Sequence, residues 1–387
     1  MTDAAIVGLG LTPMSTKPGA PPESLAAQAV AAALADAGMK QAEVDGLLVN
    51  SSQGVRPDRL GVALARHVGF GPLRLLEHVE IKGATAAAMV QRAVLAVRAG
   101  LARSVVCVFA DAPIGPHGTS GSTYARSGGV EGTRGLERAS GLLGSVPTFA
   151  LLASRYLSVS GWDEDDLCAV ACSARQWARH NPDAISRTIL SPEQYRSSPM
   201  VSTPLRRLDC ARPVNGAGAI IVSADDRRSD VDHPMVYVRG MSQWHPMRRR
   251  VAPGESWFGG GAGEAVSAAL AMAGRTRADV DVLELYDPFS VVTLCLIEEY
   301  GFRPAGTAGL TFRSGECDPG GSLPTNTGGG QLSAFYLQGM TPLAEGIIQV
   351  RGTGGQRQVP GATTALVAGI GGRIDHHACL VLDREAA

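Results

Sequence analysis

Three stretches of this chain put glycine and hydrogen-bonding side chains where a strand gives way to a helix. The first is Ile81-Lys82-Gly83-Ala84-Thr85, at the head of an Ala-rich helix. The second is Tyr286-Asp287-Pro288-Phe289, directly after the strand-like VLEL. The third, NTGGGQLSAFYLQGM, runs from Asn326 to Met340. At such junctions backbone N–H groups lack intrahelical partners and point toward a ligand, so a polarised or anionic oxygen is held well there.

Other groupings carry less. Cys168 and Cys172 lie four apart on an expected helix, and His376 and His377 are adjacent on an expected strand. Zinc sites need convergent ligands at recognisable spacing, and neighbouring strand residues point to opposite faces, so no metal is expected. Gly8-Leu9-Gly10-Leu11-Thr12-Pro13 follows the first strand but lacks the third glycine and the acidic residue of a dinucleotide site, and it reads as a turn. No Ser, His and Asp group suggests a hydrolytic triad.

The elements that must position these stretches alternate between strand and helix patterns, as in an α/β layered fold. AAIVGLG, VDGLLVN, RLLEHVE and SVVCVFA read as strands. SLAAQAVAAALADAG, LGVALARHVGF and ATAAAMVQRAVLAVRAG read as helices. The two Ala-rich helices are apolar almost all round and end at Gly38 and Gly100, which predicts burial between sheets. Leu34 to Asp45, LADAGMKQAEVD, repeats without a gap as Leu270 to Asp281, LAMAGRTRADVD, so the fold reads as a duplication. The expected halves are residues 1–228 and 229–387, divided within the polar DDRRSDVDH (Asp225 to His233). An insertion over about 111–210 opens Gly/Ser-rich and continues with two helices.

Composition agrees with such a fold. The 387 residues are 45% hydrophobic with 48 glycines and 5% aromatics, enough for two domains. A net charge of −1 gives no reason to expect nucleic acid or a membrane surface as partner. The amino terminus has no cleavable leader pattern and no run of about 18 apolar residues occurs, so a cytoplasmic location is expected. Most of the 7 cysteines sit in apolar runs and read as reduced core residues.

The chain resembles the thiolase superfamily, particularly the thiolases related to sterol-carrier or lipid-transfer proteins. The resemblance rests on residues 178–223, on LELYDPFS, on the NTGGG helix opening and on AGIGGRIDHHACLVL. It implies a duplicated five-layered αβαβα fold. It also exposes departures. A thiolase needs a nucleophilic cysteine at the head of the first buried helix, where the helix end lowers its pKa. That position is here Gly83. Tyr286 and Tyr336 replace the two histidines that hold the oxygen of a thioester enolate, and LVAGIGG offers no second cysteine.

The pattern is similar to thiolase-like aldolases of steroid side-chain degradation, which carry paired tyrosines in YDxF and QLxxxY contexts. The resemblance implies a carbon–carbon lyase that cleaves a β-hydroxyacyl-CoA in the retro-aldol direction. Tyr336 would be the base and Tyr286 the enolate donor or acid. Gly83, Thr85, Asp287, Gly329, Gly330 and Gly371 are candidate substrate contacts. Arg248 and Arg249, in HPMRRRVAPGE, are candidates for CoA phosphates. No cofactor beyond the coenzyme A of the substrate is implied. A homodimer and a small partner protein of OB-fold and zinc-ribbon type are. Rival readings are a Schiff base on Lys82, an acyltransferase using Thr85 or Ser333, and a non-catalytic acyl-CoA carrier.

Overall fold

The computed structural model describes residues 3–51, 57–115, 132–161, 163–224, 232–246, 261–372, 374 and 376–385. Its organising unit is a four-strand pattern that occurs twice. In the first copy β1 (Ala4–Leu11) lies antiparallel to β7 (Gly216–Ala224), β7 antiparallel to β4 (Ser104–Asp111), and β4 parallel to β2 (Gly46–Asn50). In the second, β8 (Val236–Trp244), β11 (His376–Asp383), β10 (Thr364–Gly371) and β9 (Val282–Leu285) repeat that order and those directions. Strand β3 (Leu75–Val79) extends the first copy beyond β2, and a separate hairpin joins β5 (Met200–Ser202) to β6 (Leu205–Arg206). The copies meet where β1 and β8 pair Ala5 with Tyr237 and Ile6 with Val236, which completes a 9-stranded sheet.

Five layers result, as the resemblance implied. Helices α1 (Pro22–Asp36) and α2 (Pro57–Val68) cover the outer face of the first copy. Helix α3 (Thr85–Arg98) is buried on nearly every side because it touches β4 and β7 of the first copy and β10 and β11 of the second. The insertion supplies α4 (Gly132–Ala139), α5 (Val146–Ser160), α6 (Glu164–Ala178) and α7 (Pro192–Arg196). On the far side α8 (Ala262–Ala273) packs on β8 and β11, and α9 (Ser290–Glu299) and α10 (Ala308–Arg313) continue that layer. Helix α11 (Met340–Arg351) lies beside α3 in the central layer.

Two expectations are corrected. Helix α1 lies outside the sheets rather than between them, burying Leu25, Ala29, Val30 and Ala33 while Gln28, Ala31 and Ala35 face solvent. Alanine fits either side of such a helix, so an Ala-rich face does not report burial. Gly8 and Gly10 form no turn. Both lie within β1, where a Cβ would strike the carbonyls of Ala33 and Ala29, so they let α1 approach closely. The opening of the insertion (116–131) and most of the expected boundary (225–231) lie outside the described residues.

The sequence repeat has a structural meaning. In each copy a helix ends at a glycine with positive φ, Gly38 or Gly274, and a short 3-10 turn follows. The repeat's last aspartate then fastens the neighbouring strand. Asp45 accepts from the amides of Arg103 (2.8 Å) and Ser104 (2.9 Å), and Asp281 from those of Thr363 (2.8 Å) and Thr364 (2.9 Å). No helix among the described residues is long and apolar enough to cross a membrane.

Candidate active site

Tyr286 leaves β9 with its amide bonded to the Ala368 carbonyl of β10 (3.0 Å), and Tyr336 precedes the turn into α11. The two phenol oxygens are 3.0 Å apart, and the rings meet edge to face at 64° with centroids 6.4 Å apart. Gly83 lies directly beneath. A Cβ there would overlap Cζ and Cε2 of Tyr286 and the carbonyl of Ile370. The ring of Tyr286 therefore fills the space a side chain at position 83 would need, and an acyl-enzyme at this helix head has no room to form.

Burial is the main influence on both phenols. It pushes Tyr336 up to about 12, helped by Asp111 and Glu80 and opposed by the hydrogen bond from Tyr286. It pushes Tyr286 further still, reinforced by Tyr336 and then by Asp287 and Glu80. Both stay protonated near neutrality. Their joint capacity is to donate hydrogen bonds to an oxygen gaining negative charge.

The other expected contacts build the frame around this pair. Asp287 is buried, with Oδ1 accepting from the Gln331 amide (2.8 Å). Burial pushes its carboxyl up to about 7, against the amides of Gln331 and Leu332 and the side chain of Asn326. Gly329 (φ 94°) lies against Ala178, and at Gly330 (φ 58°) a Cβ would meet Asp287. Only glycine adopts these conformations without strain while the backbone passes so closely. Thr85 is fully buried, its Oγ1 accepting from the Ile81 amide (2.7 Å), and Gly371 packs on the Ile81 carbonyl. The insertion grips the third stretch through Arg175 Nε to Ser333 Oγ (3.0 Å) and Asn181 Nδ2 to the Gly328 carbonyl (2.9 Å). Arg248 and Arg249 lie outside the described residues.

Lys82 is exposed, and its ammonium pairs with Glu80 at 3.2 Å. His376 meets His245 (3.0 Å), while His377 faces the other way to Tyr300 (3.0 Å). Cys168 and Cys172 are 3.9 Å apart. Among the described residues no three His, Cys, Asp or Glu side chains are placed to hold a metal. Sequence reasoning missed Glu80 and Asp111, whose charges reach the phenols, and Asn50, which donates to Glu80 at 3.2 Å. Continuing the repeat past Asp45 and Asp281 sets Asn50 level with Tyr286, and that was the available signal.

The layers, the duplicated strand order and the pair of buried helix heads define a thiolase-fold protein. Residues 248–384 match the family model described as thiolase C-terminal domain-like. The chain is 35% identical to the 17-hydroxy-3-oxo-4-pregnene-20-carboxyl-CoA lyase of Mycobacterium tuberculosis, over 90% of this chain and 92% of that protein. It is 32% identical to a steroid side-chain-cleaving aldolase of Thermomonospora curvata, over 90% of each. Among solved structures the Ltp2-ChsH2(DUF35) aldolase superposes with a TM-score of 0.85 at 30% identity, covering 99% of this chain and 98% of that one. The chain belongs to this family of thiolase-fold aldolases, carbon–carbon lyases that act on CoA thioesters.

Proposed function

We propose that this chain cleaves a bulky β-hydroxyacyl-CoA of sterol side-chain type by a retro-aldol reaction, releasing a ketone or aldehyde and a shorter acyl-CoA. The observation that carries this reading is the pair of phenol oxygens, 3.0 Å apart above a helix head whose nucleophile position is Gly83. As the Cα–Cβ bond breaks, its electron pair moves onto the thioester carbonyl and makes an enolate. Tyr286 and Tyr336 then donate hydrogen bonds to that oxygen, where one such donor contributes about 10²–10³-fold in rate. No covalent intermediate is needed.

The sequence reading made Tyr336 the base. Burial holds both phenols protonated, so they serve as donors and the base is a separate group. The names of the relatives support a steroid CoA thioester as substrate and a complex with a second subunit. A homodimer and the OB-fold and zinc-ribbon character of that subunit rest on the resemblance alone. A cytoplasmic location fits the seven unpaired cysteines.

Tyr286→Phe and Tyr336→Phe test this directly, with 17-hydroxy-3-oxo-4-pregnene-20-carboxyl-CoA as probe and release of the ketone as readout. Each should lose at least about 100-fold in kcat and keep its affinity for the thioester. Full turnover in both variants would refute the reading, and unchanged ligand binding with no cleavage by the wild type would favour a carrier.

A further inference from the structure

The duplication extends into the active site. The last aspartates of the repeat, Asp45 and Asp281, hold equivalent strand starts, and the parallel ladders that follow have the same register: Gly46 opposite Val105, and Val282 opposite Ala365. Counting on, the residue equivalent to Tyr286 is Asn50, at the end of β2. The turns that open the two central helices correspond in the same way. The Ile81 amide bonds to Thr85 Oγ1 at 2.7 Å, and the Leu337 amide to Thr341 Oγ1 at 3.0 Å. Both turns continue with a non-glycine residue of positive φ, Lys82 at 52° and Gln338 at 48°, then a glycine. The residue before each turn is Glu80 in one copy and Tyr336 in the other.

Asn50 and Glu80 are therefore the first copy's version of Tyr286 and Tyr336, and they also touch. Asn50 Nδ2 donates to Glu80 Oε2 at 3.2 Å, matching the 3.0 Å contact between the phenols. The two turns pack against each other, since a Cβ on Gly339 would strike the Gly83 carbonyl. This brings the pairs face to face, and the charge of Glu80 reaches both phenols. Glu80 is held by further donors, the Ser51 hydroxyl and the Lys82 amide (2.8 Å) and ammonium (3.2 Å). The ammonium bond is an exposed pair, the weakest of the set, and an incoming hydroxyl can displace it.

We propose that Glu80 is a further catalytic residue: the carboxylate that takes the β-hydroxyl proton while the opposing phenols hold the thioester oxygen. This rests on the retro-aldol reading above. The O–H bond of the substrate breaks to Glu80 and the oxygen's electron pair forms the new C=O. The Cα–Cβ pair passes to the thioester, and the proton held by Glu80 returns to Cα. No co-reactant is needed. Glu80 pairs with Lys82, and its charge acts on Tyr286 and Tyr336. Asp111, whose charge reaches Tyr336, is the competing carboxylate, but its Oδ1 accepts from the Ala112 amide (3.0 Å) and it is not the first copy's counterpart of either tyrosine.

The test is the pH profile of kcat for Glu80→Gln, Glu80→Asp and Asp111→Asn in the full chain with its partner subunit, on the same CoA thioester. Glu80→Gln should lose about 10²–10⁴-fold in kcat and its acid limb, with thioester affinity and melting temperature held. Glu80→Asp should turn over slowly and keep the limb, and Asp111→Asn should keep it too. The proposal is overturned if Glu80→Gln stays within about fivefold of wild type, or if it loses rate yet keeps the acid limb. It is also overturned if Asp111→Asn is the variant that loses the limb. Should Glu80→Gln fail to fold, a full wild-type rate in Glu80→Asp would overturn it. An active Glu80→Gln beside a dead Tyr286→Phe would remove Glu80 alone, whereas activity in both would remove the tyrosine reading as well.

Discussion

Replacing Gly83 by alanine adds one methyl group at the most crowded point of the site. Gly83 does not have a positive φ, so the substitution brings no backbone strain and its effect is steric. The new Cβ meets Cζ and Cε2 of Tyr286 on one side and the Ile370 carbonyl of β10 on the other. Retreat is blocked, because the Gly83 carbonyl is already pressed on Gly339 and Gly369. Overpacking a filled interior costs about 1–3 kcal/mol, and a rigid carbonyl on one side sets the expectation near the upper end. The ring is the more mobile obstacle, so Tyr286 should yield. Displacing its oxygen by about 1 Å costs on the order of 100-fold in kcat. Urea unfolding and steady-state cleavage measure the two effects. Phe at 286 should not relieve the destabilisation, since both overlapped carbons remain, whereas Ala at 286 should make the double variant less unstable than the sum of the singles. A Gly83→Ala protein as stable and active as wild type would refute the claim that the phenol occupies the nucleophile's space.

Burial, helped by His376 and His245, holds His377 down to about 4 from 6.5. A depressed pKa contributes stability that is complete above pH 6.5 and is lost as the pH falls toward 4. The loss, about 3 kcal/mol at pH 4, should be missing from the pH dependence of His377→Asn, measured by urea midpoints against wild type. Arg357→Met should cost about 3–5 kcal/mol at neutral pH by stranding the buried Glu345 carboxylate, to which Arg357 Nε donates at 2.9 Å. Urea midpoints at neutral pH measure the loss, and an Arg357→Met protein as stable as wild type would refute the reasoning.

The sequence revealed most of the fold because its signals were local. Strand and helix patterns set the first half, and the twelve-residue repeat marked the second. What stayed hidden was set by tertiary surroundings. Helix α11 carries Glu345, Gln349 and Arg351 on buried faces, so no apolar stripe announces it. These polar groups find partners in one another, in Arg357 and in Asp36, contacts that become visible only after folding. The tyrosine pair was legible from motif context. Its 3.0 Å contact was not, nor was the bond by which the buried Asp287 accepts from the Gln331 amide.

Duplication explains why the site holds two kinds of pair. Each copy brings a strand end and a helix-opening turn to the same axis, so the fold builds two equivalent pairs of positions whatever residues fill them. Identical pairs could serve only one electrostatic purpose. A retro-aldol cleavage needs two, a donor surface where the thioester gains charge and an acceptor where the hydroxyl loses its proton. Two phenols in one copy and an amide-held carboxylate in the other meet both needs. With a glycine at the head of α3, neither pair has to share the space with a nucleophile. Loss of the cysteine and divergence of the pairs are in this view one change, since the ring of Tyr286 could enter only where position 83 has no side chain.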